Sequence, residues 1–69
     1  MKLSARNTLS GTIVDIKEGA VTSHVKLDVG STIITAAITN EAVHEMGLQK
    51  GQAAVAVIKS SDVMIGIDE

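Results

Sequence analysis

The sequence predicts a small all-β barrel with one short helix, and three observations predict it. The 69 residues hold eight valines, eight isoleucines and six threonines, side chains that fit a pleated sheet and lose rotamer freedom in a helix. Apolar and polar residues alternate with a period of two from Val21 to Val29, the mark of a half-buried strand. Polar clusters containing glycine break the apolar runs into short lengths, as turns between strands require.

Taken in order, Leu9 to Ile16 forms a first strand, and Lys17-Glu18-Gly19 the turn that ends it. Val21, Ser23, Val25, Leu27 and Val29 share one face of the second strand, with Thr22, His24, Lys26 and Asp28 on the other. Gly30-Ser31 reads as a hairpin turn. Thr32 to Ile38 is the third strand, with Ile34, Ala36 and Ile38 on one face. Thr39-Asn40 supplies the N-cap of a short helix, and Glu41 suits its positive end. Gly47 fits the left-handed position past the last turn, and Leu48 the apolar contact that closes it. After the polar turn Gln49-Lys50-Gly51-Gln52, Ala53 to Lys59 is a fourth strand. Val63 to Ile67 is a fifth, after Ser60-Ser61-Asp62. Five strands with a helix between the third and fourth describe a barrel of the OB type. Residues 1–69 read as one domain, without linker, low-complexity tract or repeat.

Composition excludes several functions. The chain has no cysteine, hence no disulfide and no thiolate metal site. It has no Phe, Tyr or Trp to stack on bases, and its formal net charge of -2 is wrong for a phosphate-backbone binder, so no nucleic-acid partner is expected. No apolar run approaches the ~20 residues of a membrane span. Arg6 and Asn7 fall where a signal peptide needs its apolar stretch. The expectation is a cytoplasmic chain with no membrane partner. An enzyme is not expected either: His24 and His44 stand apart from any metal-ligand spacing. The acids Asp15, Glu18, Asp28, Glu41, Glu45, Asp62, Asp68 and Glu69 are scattered, and no nucleophile stands beside a base.

Size adds a constraint of its own. A domain this short buries only about 60% of its unfolded-chain surface, and burial minus ordering entropy comes out near zero. With disulfides and aromatic anchors missing, oligomerisation is the remaining way to stability. Ala54, Ala56 and Ile58 oppose Val55 and Val57, so the fourth strand is apolar on both faces. Such a strand in so small a chain implies cover from another subunit.

Two polar segments interrupt this apolar sequence: Ser4-Ala5-Arg6-Asn7, and Lys59-Ser60-Ser61-Asp62. Each offers a cation and a hydroxyl, the donors from which an oxyanion site is built. Surface ion pairing, such as Lys59 with Asp62, is the plain alternative.

Ser4-Ala5-Arg6-Asn7-x-Leu9-x-Gly11-x-Ile13 resembles the opening of the molybdenum-binding Mop domain, the molbindin family. Val57-Ile58-Lys59-Ser60-Ser61-Asp62-Val63-Met64-Ile65 resembles that family's closing signature. Between them, Ala36-Ala37-Ile38-Thr39 and Val43-x-x-Met46-Gly47-Leu48-x-x-Gly51 match its strand, helix and turn. The resemblance runs in order along nearly the whole chain.

It implies an OB-like Mop/TOBE-type barrel whose strands are shared between subunits in a homo-oligomer, a hexamer built as a trimer of dimers. It also implies a bound molybdate or tungstate oxyanion and a role in cytoplasmic molybdate storage and homeostasis. The family's domain also occurs fused to transport ATPases and regulators. This chain has no room for either, and a freestanding buffer is expected. By the same resemblance, Ser4, Ala5 and Arg6 contribute to the oxyanion site from one segment, and Lys59 and Ser60 from the other. Thr39 matches a hydroxyl ligand beside helix N–H groups. Ala42 stands where several relatives carry serine, which leaves only its backbone N–H. The turn Val21, Thr22 and Ser23 is expected at a second type of site near a symmetry axis. No side chain is expected to ligate a metal cation. The alternative function is an oligomerisation module, structural or regulatory, without an oxyanion of its own.

Overall fold

A computed structural model describes residues 1–68, and Glu69, one of the acids considered above, lies outside the described residues. Four strands and one helix follow in the order β1 (Asn7–Glu18), β2 (Thr22–Asp28), β3 (Ile33–Thr39), α1 (Asn40–Met46) and β4 (Ala53–Ile58). They form one antiparallel sheet with strand order β3-β2-β1-β4.

The long first strand sets the shape. Its N-terminal half pairs with β4, from Asn7 opposite Ile58 to Thr12 opposite Ala53. Its C-terminal half pairs with β2, from Thr12 opposite Asp28 to Glu18 opposite Ser23. Thr12 alone stands on both ladders, so β4 and β2 flank opposite ends of β1 and the sheet curls into a half-barrel. The register shifts between Ile13 and Asp15, where Val14 is the extra residue of a bulge, a device that bends a strand. Gly11 is required by close approach: a Cβ there would collide with the Asp28 backbone carbonyl.

The alternation expected of β2 holds. Ser23, Val25 and Leu27 are buried while Thr22, His24 and Lys26 are exposed. Val21 precedes the strand and is exposed. The β1–β2 turn lies a little later than expected, with the Gly19 N–H donating to the Thr22 carbonyl at 2.9 Å. At the β2–β3 turn Gly30 has φ +107°, and its N–H donates to Asp28 Oδ1 at 2.8 Å. The helix is capped as the sequence indicates. Thr39 Oγ1 accepts from the Ala42 N–H at 3.0 Å. Gly47 ends the helix at φ 61°, its N–H donating to the His44 carbonyl while that of Leu48 donates to the Val43 carbonyl. That pair of bonds satisfies carbonyls the helix end would leave open.

One expected element is absent among the described residues: Val63 to Ile67 forms no strand. The 3-10 turn Ser60–Asp62 separates the segment from β4, and the segment leaves the body without a ladder partner. A strand exists only by pairing, so apolar pattern alone did not suffice here. Met64, Ile65 and Ile67 are exposed as a result.

The core is correspondingly small. Ile13, Val25, Leu27 and Val43 are its buried apolar residues. Val25, Leu27, Ile34, Ile38, Ala54 and Ala56 line an open apolar groove of about 440 Å³ on the concave face. The chain exposes 5503 Å², against roughly 4,100 Å² for a compact monomer of this mass. Its radius of gyration is 13.1 Å, where a compact chain of this length has about 11 Å. Among the described residues no helix is long and apolar enough to cross a membrane.

Candidate oxyanion-binding site

The β1–β4 ladder brings the two polar segments together although they lie at opposite ends of the sequence. Asn7 pairs with Ile58, and its Nδ2 donates to the Ile58 carbonyl at 3.2 Å. One step beyond this pair, Arg6 precedes β1 and Lys59 follows β4, so antiparallel geometry sets the two cations at one end of the sheet. Ser4 and Ser60 extend the same two chain ends, and all four side chains are exposed, with Ala5 half-buried between Ser4 and Arg6. Arg6 lines a shallow pocket with Asn7, Thr8, Leu9, Ile58 and Val63. Among the described residues neither Arg6 nor Lys59 forms an ion pair; Asp62 meets Lys59 through a backbone bond, its N–H on the Lys59 carbonyl at 2.9 Å. The two segments that leave this end of the ladder thus carry two cations and two hydroxyls, and among the described residues no carboxylate pairs with either cation.

Thr39 and Ala42 lie elsewhere, with the Val21–Ser23 segment. Thr22 pairs with Thr39 across β2 and β3. Because the Thr39 oxygen accepts from the Ala42 N–H, its own proton remains to be donated outward, whereas that N–H is already engaged. Val21 and Thr22 are exposed, and Ser23 is fully buried with its hydroxyl donating to Asn40 Oδ1 at 2.5 Å. Ser23 therefore holds the segment in place from within. Asn40 also donates from Nδ2 to the Gly19 carbonyl at 2.9 Å, and from its backbone N–H to the Val21 carbonyl at 2.8 Å. The clue to Asn40 in the sequence was its place in the cap pair Thr39-Asn40; nothing there indicated the reach back to residues 19–23.

The two groups stand at opposite ends of β1. Its 12 residues, at about 3.3 Å each, make a contour of at most roughly 40 Å, which the bulge and the curl of the sheet shorten. Within one chain, Thr39 and Arg6 cannot touch the same ion. The larger hollow, the concave groove, carries no such chemistry: Thr35 is the one polar residue lining it. No group of three or more metal-ligating side chains occurs among the described residues. His44 Nε2 lies 2.8 Å from Glu18 Oε1, an exposed pair joining α1 to the end of β1.

A curled β half-barrel of four strands with one short helix defines a small OB-like domain. The sequence matches the TOBE domain family over residues 3–65. Molybdenum-pterin-binding protein 1 of Clostridium pasteurianum is 46% identical over 66 residues, spanning 94% of this chain and 97% of that protein. A molybdate-binding protein from Sporomusa ovata has a structure similar at a TM-score of 0.93, with 31% identity over 97% of this chain and 100% of its own. The cytoplasmic molybdate-binding protein ModG, solved with molybdate bound, is similar at a TM-score of 0.94 and 48% identity, over 99% of this chain and 49% of its own. The chain belongs to the TOBE domain family and, within it, to the Mop proteins.

Proposed function

We propose that this chain binds molybdate, and tungstate as its close chemical analogue, for cytoplasmic storage and homeostasis of the oxyanion, with no catalytic step. The observation that supports the proposal is the Asn7–Ile58 pairing, from which the segments carrying Ser4 and Arg6 and carrying Lys59 and Ser60 both leave the same end of the β1–β4 ladder. Molybdate is a tetrahedral dianion at neutral pH. Two cations offset its charge, while hydroxyls and backbone N–H groups around Ala5 fix its orientation. The names of the relatives favour molybdate as the ion, and that of ModG favours the cytoplasm.

We place the sites between chains of a homo-oligomer, in the family's manner a hexamer. Thr39, with Ala42 behind it, is too far from Arg6 to serve the same ion unless a second copy supplies it. The exposed surface exceeds that of a compact monomer by roughly 1,400 Å², which favours assembly. Val21 and Thr22 then form a second kind of site where copies meet, with Ser23 as internal support. Assembly and ligand are linked by mass action, since an ion held between chains stabilises the assembled state.

The test is isothermal titration with molybdate, repeated in excess sulfate. Saturating heat that survives sulfate is the expected result. No heat, or heat abolished by sulfate, overturns selective binding and leaves the oligomerisation module as the better account.

A further inference from the structure

We propose that Asn40 is a positioning residue that fixes the Thr39 hydroxyl relative to the Val21–Ser23 segment, so that the two stretches act as one unit toward the oxyanion; the inference rests on the binding function proposed above. Asn40 follows Thr39 directly and uses three separate groups on the β1–β2 connection. Its backbone N–H donates to the Val21 carbonyl at 2.8 Å, its Nδ2 to the Gly19 carbonyl at 2.9 Å, and its Oδ1 accepts from Ser23 Oγ at 2.5 Å. The orientation of the carboxamide is settled by these partners, because a hydroxyl can donate to the oxygen while a carbonyl can only accept from the nitrogen.

The site of these bonds matters. Ser23 is fully buried, so water does not compete for its hydroxyl, and a buried hydroxyl without a partner is costly. The turn it supports is tight, with the Gly19 N–H on the Thr22 carbonyl and no room for a Cβ at Gly19 against that same carbonyl. Thr22 is in turn the ladder partner of Thr39. Asn40 thus joins the chain carrying the Thr39 donor to the chain carrying Val21 and Thr22 at three points. Side chains that fix a donor in this way raise affinity by removing the ordering cost of binding. The Asn40 carboxamide uses its oxygen and one Nδ2 proton within the protein, and these bonds are how it acts on Thr39 and the turn.

The experiment is a double-mutant cycle read by molybdate titration of the purified full chain: wild type, N40A, T39A and N40A/T39A, with circular dichroism confirming the fold of each. Thr39→Ala is expected to weaken binding by about fivefold or more in the wild-type background and by less than about twofold in the N40A background, the signature of coupled residues. A role confined to stability would lower the melting temperature and leave the Thr39 effect equal in both backgrounds; that result overturns the proposal. If N40A does not fold, S23A removes only the hydroxyl on Oδ1 and goes through the same cycle, with the same expected loss of additivity and the same overturning result. Absence of heat from the wild-type protein removes the molybdate function and this proposal together, whereas saturating heat with an additive cycle removes this proposal alone.

Discussion

Asn7 and Ile58 close the ladder between β1 and β4, and the Asn7 side chain adds a link of its own by donating to the Ile58 carbonyl at 3.2 Å. Arg6 directly precedes Asn7 and Lys59 directly follows Ile58, so the pair aligns two chain segments that are 51 positions apart. The sheet therefore sets where the backbone carrying Arg6 and the backbone carrying Lys59 leave the ladder.

Replacing Arg6 or Lys59 with alanine is expected to weaken molybdate binding by about tenfold to a hundredfold each, since a hydrogen bond to a charged group contributes roughly 1.5–3 kcal/mol. Both side chains are exposed and carry no core contacts, so circular dichroism should be unchanged. Titration checks the affinity. A wild-type affinity in R6A removes Arg6 from the site.

Gly11→Ala tests the curl of the sheet. The new Cβ would meet the Asp28 backbone, which cannot swing aside as a flexible side chain could. Overpacking of this kind costs about 1–3 kcal/mol. Urea denaturation should show the loss, while Gly66→Ala, which meets nothing within 4 Å, should not. Equal stability of the two variants would mean that β1 and β2 separate there without penalty.

Thr39→Ala is expected to lower stability by about 1 kcal/mol through loss of the helix cap, in addition to any loss of molybdate affinity. Thr39→Ser keeps the oxygen that accepts from the Ala42 N–H and should restore both. Thermal melting, with and without molybdate, separates the two effects: a cap defect lowers both curves, and a ligand defect narrows the gap between them.

The strands, their faces and both helix caps were legible because they depend on local chemistry. Period-two alternation put Ser23, Val25 and Leu27 inside, and Gly47 took the left-handed conformation that glycine tolerates better than other residues. What escaped was long-range. That β1 would serve two partners at its two ends follows from the sheet's register, which no local pattern encodes. The Glu18–His44 pair and the Ser23–Asn40 bond join residues 26 and 17 positions apart, for the same reason. At the candidate site, hydroxyls and cations at the chain ends were visible as polar breaks in apolar sequence. The placement of Thr39 and Arg6 toward opposite ends of β1 became apparent only with the topology. Val63 to Ile67 shows the limit most directly: it has strand composition, and composition cannot supply the neighbour a strand must pair with.

That segment also carries the sharpest test of assembly. Ile65 is 89% exposed and Ile67 86% exposed in the single chain, so neither contributes to its stability by burial. A charged residue at position 65 should therefore be harmless to an isolated chain. If the segment instead lies against another copy, Ile65→Asp places an unpaired charge in an apolar interface, which is strongly unfavourable. The surface excess of roughly 1,400 Å² is nearly twice the ~800 Å² that one partner buries in a standard interface, enough for contacts with more than one neighbour. The expected outcome is that I65D shifts the protein to smaller species in light scattering and lowers its melting temperature most at low protein concentration, because oligomer stability depends on concentration. An unchanged mass with an unchanged melting curve would place the segment outside every interface, and the cover for the apolar groove would then have to come from β4 of a second copy, where Val57→Asp would produce the loss that Ile65→Asp did not.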